Sequence, residues 1–405
     1  MNLMFQELKK IWDPVIIVIL LLFTLVYYAL FSGFFIEYFA NGPIAEEEFK
    51  LAKGWFKEYG STIDEQEYKG LLTQLSREKE HFSDALKNIP AAAENGITTY
   101  DEYERMLDST DEEDAAENAE SGSAEIHYSR ELDQQIRNGL DMTLLYRIQI
   151  MESTAEYLET RFQGKVLLPE EAGELRPAEV ERLEELDRSE LKFGYLPVGV
   201  LDSTTGLIIA VVIQIVIGVI ILLSPTIVRD RLNRVQGLQY TTKTGRKILS
   251  VQFLAAILSG VVYGTATILF YGVLLFGKGV LDFRGFYLMS MGYIPWVNWT
   301  YGTYLLVIAG MAVVISVVAS AFTVFLSRYS QNYIGMLLKS VILGTLLIFL
   351  FAMLPIITRP FFMFNPMSFN FHTGKIELVL LSVLFVCSLL PLGFSLLRQG
   401  RRELA

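Results

Sequence analysis

Hydrophobic residues are gathered along this chain into six long runs, separated by segments in which polar residues are frequent. A helix needs about 20 consecutive apolar residues to cross a bilayer core of roughly 30 Å. Each run meets or approaches that length and contains almost no charged side chains. The pattern therefore predicts six transmembrane helices, over residues 14–36, 203–224, 249–276, 303–327, 336–356 and 377–397.

The polar segment between the first two runs, residues 37–202, is rich in helix-forming residues and poor in β-branched runs. Its stretch "PAEVERLEEL" places proline in the first turn and acids near the N-terminus, as is typical of a helix start. The predicted fold class is thus an all-α polytopic membrane protein, with six transmembrane helices plus a helical domain. The helices predicted in that domain cover residues 45–59, 63–88, 98–108, 124–163 and 177–192.

One stretch of this domain, "DSTDEEDAAENAESGSAE" at 108–125, is too polar and acidic to bury a core. A flexible linker is the simpler interpretation. A calcium-binding loop is the alternative, but the alternating Asp/Asn pattern and the central glycine of such loops are missing.

The first 13 residues predict a short amphipathic helix in the headgroup layer, followed by Pro14 where the first spanning helix starts. The 14–36 run could also belong to a secretory signal. However, its apolar part is long, and Tyr38 stands where a cleavage site before Ala40 needs a small residue. An uncleaved anchor is favoured. The apolar face of the short helix comprises Leu3, Met4, Leu8, Ile11 and Trp12, with Lys9 and Lys10 close by.

The distribution of basic residues over the short loops predicts the orientation, because cytoplasmic loops carry the excess of Lys and Arg. With the N-terminus inside, the inner segments hold thirteen basic residues and the short outer loops hold four. Both termini are therefore predicted in the cytoplasm. The inner set is Lys9, Lys10, Arg229, Arg231, Arg234, Lys243, Arg246, Lys247, Arg328, Lys339, Arg398, Arg401 and Arg402; the outer set is Lys278, Arg284, Arg359 and Lys375.

With this orientation, the domain at 37–202 is extracellular and accounts for the acidity of the whole chain. It holds 39 Asp or Glu against 17 Lys or Arg, whereas the rest of the chain holds 6 against 17, and the total charge is −11. The single cysteine, Cys387, lies in the last apolar run, so no intrachain disulfide can form. A bacterial cell membrane with a Gram-positive exterior fits this composition.

The two short outer loops, 277–302 and 357–376, are rich in aromatic residues and look interfacial. An ordinary aromatic belt at the headgroup level is the simpler interpretation. The functional alternative is a short re-entrant segment that closes the outer end of a substrate path, since non-helical backbone at that depth must be shielded by protein.

Three local motifs carry little weight. "GVLLFGKG", 272–279, has the spacing of a phosphate-binding loop but ends in Gly279 where Ser or Thr is needed, and no strand precedes it. "NWT", 298–300, matches a glycosylation acceptor but adjoins a transmembrane run. The three histidines lack metal-ligand spacing, and no catalytic constellation appears. We therefore expect no enzymatic activity in this chain.

Polar groups inside the six runs are few, and Gln214 is the clearest of them. Ion pumps and proton relays place acids or bases at such positions, so their scarcity disfavours an ion-coupled transporter. Gln214 is predicted to form a helix–helix hydrogen bond, or alternatively to line a path.

The segment between the second and third runs, "SPTIVRDRLNRVQGLQYTTKTGRKILSVQFLAAI", carries six Lys or Arg against one acid over residues 228–249. Together with a first span, a large outer insert and four further spans, it resembles the ABC-2 type permeases, the membrane subunits of one class of ATP-binding-cassette exporters. The resemblance in architecture covers the whole chain, and that in local motif covers about residues 224–257. The family more often has Glu at the acidic position and Pro in the turn.

The resemblance implies a cytoplasmic coupling loop at 225–248 that docks on a separate ATPase. Asp230 and Arg231 match the family's acid and neighbouring arginine, 233–238 its coupling helix, 241–245 its turn, and Arg246 with Lys247 its return to the membrane. A short amphipathic helix fixed between two spans can fit a groove on a partner. The residues expected to couple to the ATPase are Asp230, Arg231, Asn233, Arg234, Gln236, Gly237 and Leu238; Arg246 and Lys247 are expected to face anionic lipid.

Two hypotheses from different classes follow. In the first, the chain is a permease subunit of an ABC exporter, which pairs with a second permease chain as a homo- or heterodimer and with ATPase subunits that bind ATP and magnesium. No cofactor is then expected in this chain, and its other contacts are with membrane lipids, not nucleic acid. In the second, the chain is a membrane-anchored sensor or scaffold whose acidic extracellular domain binds an envelope ligand. A further cytoplasmic loop at 328–335 and a basic tail at 398–405 complete the predicted topology.

Overall fold

The computed structural model describes residues 3–39, 42–107, 124–164, 175–233, 248–353, 356, 359–363 and 375–403. Over these ranges the chain is mostly helical, with isolated β-bridges and no β-strand. Six of the helices are long and apolar enough to cross a membrane. The predicted all-α fold class with six transmembrane helices is confirmed.

The helices are, in chain order, α1 (Leu3–Ile11), α2 (Pro14–Glu37), α3 (Gly42–Tyr59), α4 (Glu65–Leu86), α5 (Pro90–Glu94), α6 (100–107), α7 (Ala124–Gly139), α8 (Met142–Phe162), α9 (Pro177–Asp187), α10 (Val198–Leu223), α11 (Pro225–Leu232), α12 (Ile248–Gly277), α13 (Tyr301–Arg328), α14 (Tyr333–Met353) and α15 (Ile376–Glu403). Short 3-10 turns lie at Glu190–Phe193 and Val280–Phe283. The spanning helices are α2, α10, α12, α13, α14 and α15.

Local capping explains several of the helix starts. The Asp13 carboxylate accepts a hydrogen bond from the Val15 N–H at 3.0 Å, and Pro14 occupies the first helical position of α2. At the start of α4, Asp64 and Glu67 form a reciprocal capping box. These residues satisfy N–H groups that have no partner inside the helix.

Two of the predicted helices are interrupted. The helix predicted over 124–163 is two helices, α7 and α8, because the chain bends at Leu140 and Asp141 caps the second helix through the Thr143 N–H. The helix predicted over 177–192 ends at Asp187, and the Ser189 hydroxyl caps the following 3-10 turn. In both places a short polar side chain offers the backbone an alternative to continued helix. The segment 108–123, which holds most of the predicted linker, lies outside the described residues.

The chain divides into two compact units. The membrane unit comprises Met1–Phe39, Leu168–Glu185 and Val198–Ala405, and the helical unit comprises Ala40–Leu167 and Leu186–Pro197. Most of α9 therefore belongs to the membrane unit, although the sequence places it in the outer domain. The buried Arg182 of α9 explains this position, because its Nε donates to the Pro295 carbonyl at 3.0 Å.

In the membrane unit, α13 packs against α10, α12, α14 and α15. Small residues allow α12 and α13 to approach closely, as is common between membrane helices. A Cβ on Gly260 would lie 1.8 Å from the Ser320 hydroxyl, and a Cβ on Gly264 would lie 2.8 Å from the Ser316 Cβ. The two glycines of "GVVYG" therefore make this helix pair possible.

The helical unit has its own apolar core, built mainly where α8 packs against α3 and α4. These three helices are amphipathic, and their apolar faces meet. The buried side chains include Phe49, Trp55, Leu71, Leu75, Phe82, Leu145, Ile148, Met151 and Leu158.

Candidate functional site

The predicted coupling segment starts on α11, and its first residues lie at a junction of several helices. Asp230 is only 4% exposed, and its Oδ2 accepts hydrogen bonds from Lys10 Nζ at 2.7 Å and from Gln252 Nε2 at 2.9 Å. Lys10 belongs to α1 and Gln252 to α12. A single carboxylate on α11 thereby joins the N-terminal helix to the third spanning helix.

A second carboxylate shares the same lysine. Glu7, which is 2% exposed, places Oε1 at 2.9 Å from Lys10 Nζ, while its Oε2 is buried without a hydrogen-bond partner among the described residues. Lys10 is thus the cation between two buried acids. Removing it would leave both carboxylates uncompensated in a poorly solvated place, which is strongly unfavourable.

The arginines on either side of Asp230 bind other helices. Arg229 forms an ion pair with Asp13 at 3.2 Å and donates to the Lys10 carbonyl at 2.6 Å. Arg231 donates to the Ser330 carbonyl at 2.5 Å and to the Arg328 carbonyl. Arg328 is the last residue of α13 and Ser330 lies just after it, so Arg231 satisfies one carbonyl that the helix leaves unpaired and one in the segment that follows. We call this cluster of Glu7, Lys10, Asp13, Arg229, Asp230, Arg231 and Gln252 the α11 junction.

The predicted coupling residues that the structure describes differ in how far they are buried. Asp230 is buried inside the protein, not exposed toward a partner, because Lys10 and Gln252 occupy its carboxylate. Arg231 is half-buried, and Asn233 is exposed just after α11. The remaining predicted positions, Arg234, Gln236, Gly237 and Leu238 with the turn and the basic pair that follow them, lie outside the described residues.

Five junction residues were not among the predicted site residues: Glu7, Lys10, Asp13, Arg229 and Gln252. The sequence placed Lys10 only beside the apolar face of the predicted interfacial helix, since amphipathic periodicity shows a polar face but not its partner. The predicted interfacial helix α1 packs on α12, with Ile11 buried and the Trp12 indole N–H donating to the Ser259 hydroxyl at 3.1 Å. The only local signal was the spacing of Glu7 and Lys10, three residues apart on one helix.

Gln214 is fully buried and forms the predicted kind of helix–helix hydrogen bond. Its Oε1 accepts from the Tyr271 hydroxyl of α12 at 2.5 Å, and the same hydroxyl lies 2.5 Å from Ser32 Oγ on α2. Ser32 ends a π-helical turn, Tyr28–Ser32, inside α2. Such turns often occur at functional sites. The chain from Ser32 through Tyr271 to Gln214 links three spanning helices.

The two aromatic loops fold back into the protein. Phe283, Phe286 and Phe361 are each at most 1% exposed. The loops pair through Trp296 N–H to the Phe361 carbonyl at 2.8 Å and Met363 N–H to the Ile294 carbonyl at 2.7 Å. Most of the aromatic side chains that the structure describes in these loops therefore pack against protein. Residues 364–374 of the second loop lie outside the described part of the chain.

Glu377, the first acid of α15, holds the second loop in place. It is 3% exposed, and its Oε1 accepts from the Phe361 N–H at 2.8 Å. Phe361 has φ 67°, and Arg359 and Lys375 also have positive φ. Left-handed backbone is strained for bulky residues and persists only where surrounding contacts impose it.

Two charged side chains, Asp202 and Arg359, lie beside Tyr293 of the first aromatic loop. The Tyr293 hydroxyl donates to the Asp202 carboxylate, and the Arg359 guanidinium lies 4.7 Å from the centre of the Tyr293 ring and 3.7 Å from Asp202. Burial raises the pKa of Tyr293, and the hydrogen bond to Asp202 raises it further. The tyrosine is therefore a neutral donor at ordinary pH, and it fixes the loop to the start of α10.

The weak motifs have ordinary structural positions. Gly272 and Gly277 of the phosphate-loop-like string lie within α12, so helix hydrogen bonds already use their backbone. The Asn298 side chain accepts from Arg182 at 2.6 Å and donates to Glu185 at 3.3 Å, so its amide is part of the α9 contact. Over the described ranges, no group of three or more His, Cys, Asp or Glu is arranged to hold a metal.

The helical unit contains a polar cleft of about 360 Å³ between α3, α4 and α8. Trp55 lines it together with the charged residues Glu47, Lys50, Glu58 and Arg147. Glu47 is 4% exposed and accepts from both Arg147 Nη2 at 2.9 Å and Lys50 at 3.2 Å. Mixed charges around an aromatic wall could accommodate a small polar ligand.

No protein-family model, curated protein or solved structure matches this chain.

Proposed function

We propose that the chain is the permease subunit of an ABC exporter of the ABC-2 type, in which a separate ATPase drives motion through the segment that follows α11. The observation that supports this most is the α11 junction. A segment that transmits force must be attached to the elements it moves. Side-chain hydrogen bonds attach α11 to α1, to α12 and to the segment at the end of α13.

The attachment is suited to transmission because it is both buried and polar. Ion pairs and hydrogen bonds have directional geometry, so a displaced α11 displaces its partners instead of sliding past them. Packed interfaces respond to small shifts by changing between discrete arrangements. A push on Asn233 and the residues after it would therefore reach the second, third and fourth spanning helices together.

The complex implied by this proposal contains two permease chains, identical or different, and two ATPase subunits that bind ATP and magnesium. Both termini and the α11 junction lie in the cytoplasm of a bacterial cell, with Gram-positive envelope organisation. The helical unit then faces outward. Reporter fusions placed after Arg402 and within the helical unit test this topology, and a tail found outside the cell would contradict it.

The central experiment is copurification of the tagged chain with the ATPase encoded in the neighbouring reading frame. Arg234→Glu combined with Gln236→Ala should reduce association and transport-linked ATP hydrolysis by at least about tenfold, since a charge-assisted contact is typically about 1.5–3 kcal/mol. Lys9→Glu is the matched control, because it reverses an exposed basic residue on the same predicted side of the membrane. Intact association in the double variant, or a neighbouring frame without Walker motifs, would count against the proposal.

A second candidate function is a membrane-anchored sensor or scaffold, and the polar cleft of the helical unit favours it. Arg147 bridges Glu47 and Glu78 at 2.9 and 3.3 Å, which gives the cleft a fixed wall. Under this hypothesis, a ligand would bind the helical unit and no ATPase would copurify. Copurification therefore separates the two candidates.

A further inference from the structure

A cavity of about 230 Å³ lies in the membrane unit between α10, α12 and α13. It occupies the half of these helices next to the Val280–Phe283 turn, and Val280 and Leu281 of that turn form part of its wall. The other walls are mainly Leu, Ile, Val and Ala side chains, with Gly272 leaving an open space on α12.

The polar groups on the wall are already used by the protein. The Thr204 hydroxyl donates to the Val200 carbonyl at 2.6 Å and is 2.6 Å from the Tyr301 hydroxyl. The Tyr271 hydroxyl bonds to Gln214 and Ser32. Thr204 and Tyr271 are the two residues of the lining with polar side chains. A ligand that needs hydrogen bonds, such as a sugar or a charged peptide, would thus lose its hydration without compensation.

Water is also a poor occupant, because a buried water needs two to four polar partners. An engineered apolar cavity of roughly 150 Å³ stays dry and binds benzene, and this cavity is larger. Its mouth is bordered by exposed apolar residues, with Leu306 76% and Leu281 40% exposed. In a membrane-spanning bundle these residues face lipid tails.

We propose that this cavity binds one acyl chain of a membrane phospholipid. The acyl chain enters between α12 and α13 and lies along the buried walls at Leu207 and Ile308. Its methylenes make van der Waals contacts there that the helices do not make with one another. The headgroup stays at the mouth, outside the apolar lining. This binding does not depend on the proposed transport function.

The site also has a structural connection to the first spanning helix. The ring of Tyr271 forms part of the cavity wall, and its hydroxyl holds Ser32 at the end of the π-helical turn of α2. An acyl chain in the cavity therefore contacts Tyr271, whose hydroxyl is hydrogen-bonded to α10 and to α2. Occupancy restrains the rotamer of Tyr271 and, through it, the position of that turn.

The test uses the full chain in phosphatidylcholine vesicles that contain a phosphatidylcholine with a diazirine on one acyl chain. After photolysis, labelled residues are located by mass spectrometry. Label on Leu207 and Ile308, which are 4% and 7% exposed, reports a chain inside the cavity; label on Val273, 69% exposed, reports surrounding lipid.

Gly272→Leu should fill the cavity without a backbone clash, because a Cβ there meets no atom within 4 Å. It should reduce label on Leu207 and Ile308 by about tenfold, the effect of losing roughly two buried methylenes, and leave Val273 unchanged. Gly310→Leu is the matched control, since its Cβ position is equally open and Gly310 does not line the cavity. No label on Leu207 and Ile308 in the unaltered chain would overturn the proposal, and so would undiminished label on these two residues in Gly272→Leu.

Discussion

Lys10 and Asp230 lie 220 positions apart in the chain and form an ion pair with Nζ and Oδ2 separated by 2.7 Å. The Asp230 side chain is 6% exposed and the Lys10 side chain 29%. This pair connects α1 to α11 at the place where the predicted coupling segment starts. The carboxylate of Asp230 is thus bound by Lys10 and Gln252 of the same chain, and these contacts hold α11 against α1 and α12.

The ion pair predicts that substitutions of Lys10 and Asp230 have non-additive effects on the free energy of unfolding. Lys10→Met should destabilise the chain by about 3 kcal/mol, at the lower end for a buried pair because Lys10 reaches solvent. Asp230→Asn should cost less, since an amide oxygen can still accept from Gln252. The double variant should be more stable than the sum of the single effects by more than about 0.5 kcal/mol. Thermal unfolding in detergent measures this, with Lys9→Met as the control; strict additivity would contradict the pair.

The close approach of α12 and α13 predicts intolerance of a methyl group. Gly260→Ala places Cβ 1.8 Å from the Ser320 hydroxyl and should destabilise by about 1–3 kcal/mol. Adding Ser320→Gly removes the obstructing side chain and should recover most of the loss. Gly310→Ala, where no atom lies within 4 Å of the new Cβ, is the control. The midpoint of thermal unfolding reports all three, and equal midpoints for Gly260→Ala and Gly310→Ala would refute this packing.

The hydrogen bond from Phe361 N–H to Glu377 predicts that this carboxyl group holds the second aromatic loop. Glu377→Leu removes the acceptor and should release the strained backbone of Phe361, which raises the rate of chymotrypsin cleavage there by about tenfold or more. Glu377→Gln keeps an acceptor oxygen and should cleave at nearly the original rate. If the leucine variant is as resistant as the glutamine variant, the loop is held by its other contacts.

The break between α7 and α8 predicts a local pH dependence. Hydrogen bonds from Thr143, first from its side chain and then from its N–H, hold the pKa of Asp141 below its ordinary value. A lowered folded-state pKa adds stability above the unfolded value of about 3.9, and that stability is lost as the pH falls through the folded value. Asp141→Asn should remove this pH dependence, and Asp141→Ala should cost about 1 kcal/mol at neutral pH. Hydrogen exchange of the first turn of α8, expressed as protection relative to the intrinsic rate at each pH, measures both; a loss of protection at acid pH that persists in Asp141→Asn would contradict the assignment.

Several features of the fold could be predicted because their causes are local. A run such as residues 203–224 must be a spanning helix, since its composition leaves no other favourable place for it and its backbone bonds close within the segment. Pro14 after Asp13 predicts the start of α2, because proline suits the first helical position and aspartate caps it. The break at Asp141 was missed because a capping aspartate and a helix-interior aspartate look alike until the backbone direction is known.

The candidate site was predictable only in part. The pattern of charges identified the segment around Asp230 but not the partners of its carboxylate. Lys10 lies in a short amphipathic helix and Gln252 in an apolar run, and neither pattern requires a contact with Asp230. The buried positions of Phe361 and Glu377 were likewise hidden, since aromatic residues near a membrane surface suit lipid as well as protein.

The amino-acid sequence by itself determined which segments enter the membrane and that the chain is helical, because hydropathy and helix formation depend on residues within about 20 positions of one another. Only the tertiary structure decided which polar groups meet: Lys10 with Asp230, Gln214 with Tyr271, and Arg182 with the Pro295 carbonyl. It also decided where the apolar cavity beside Gly272 lies. These contacts join distant parts of the chain, and they depend on the packing of whole helices, which no local pattern of residues encodes.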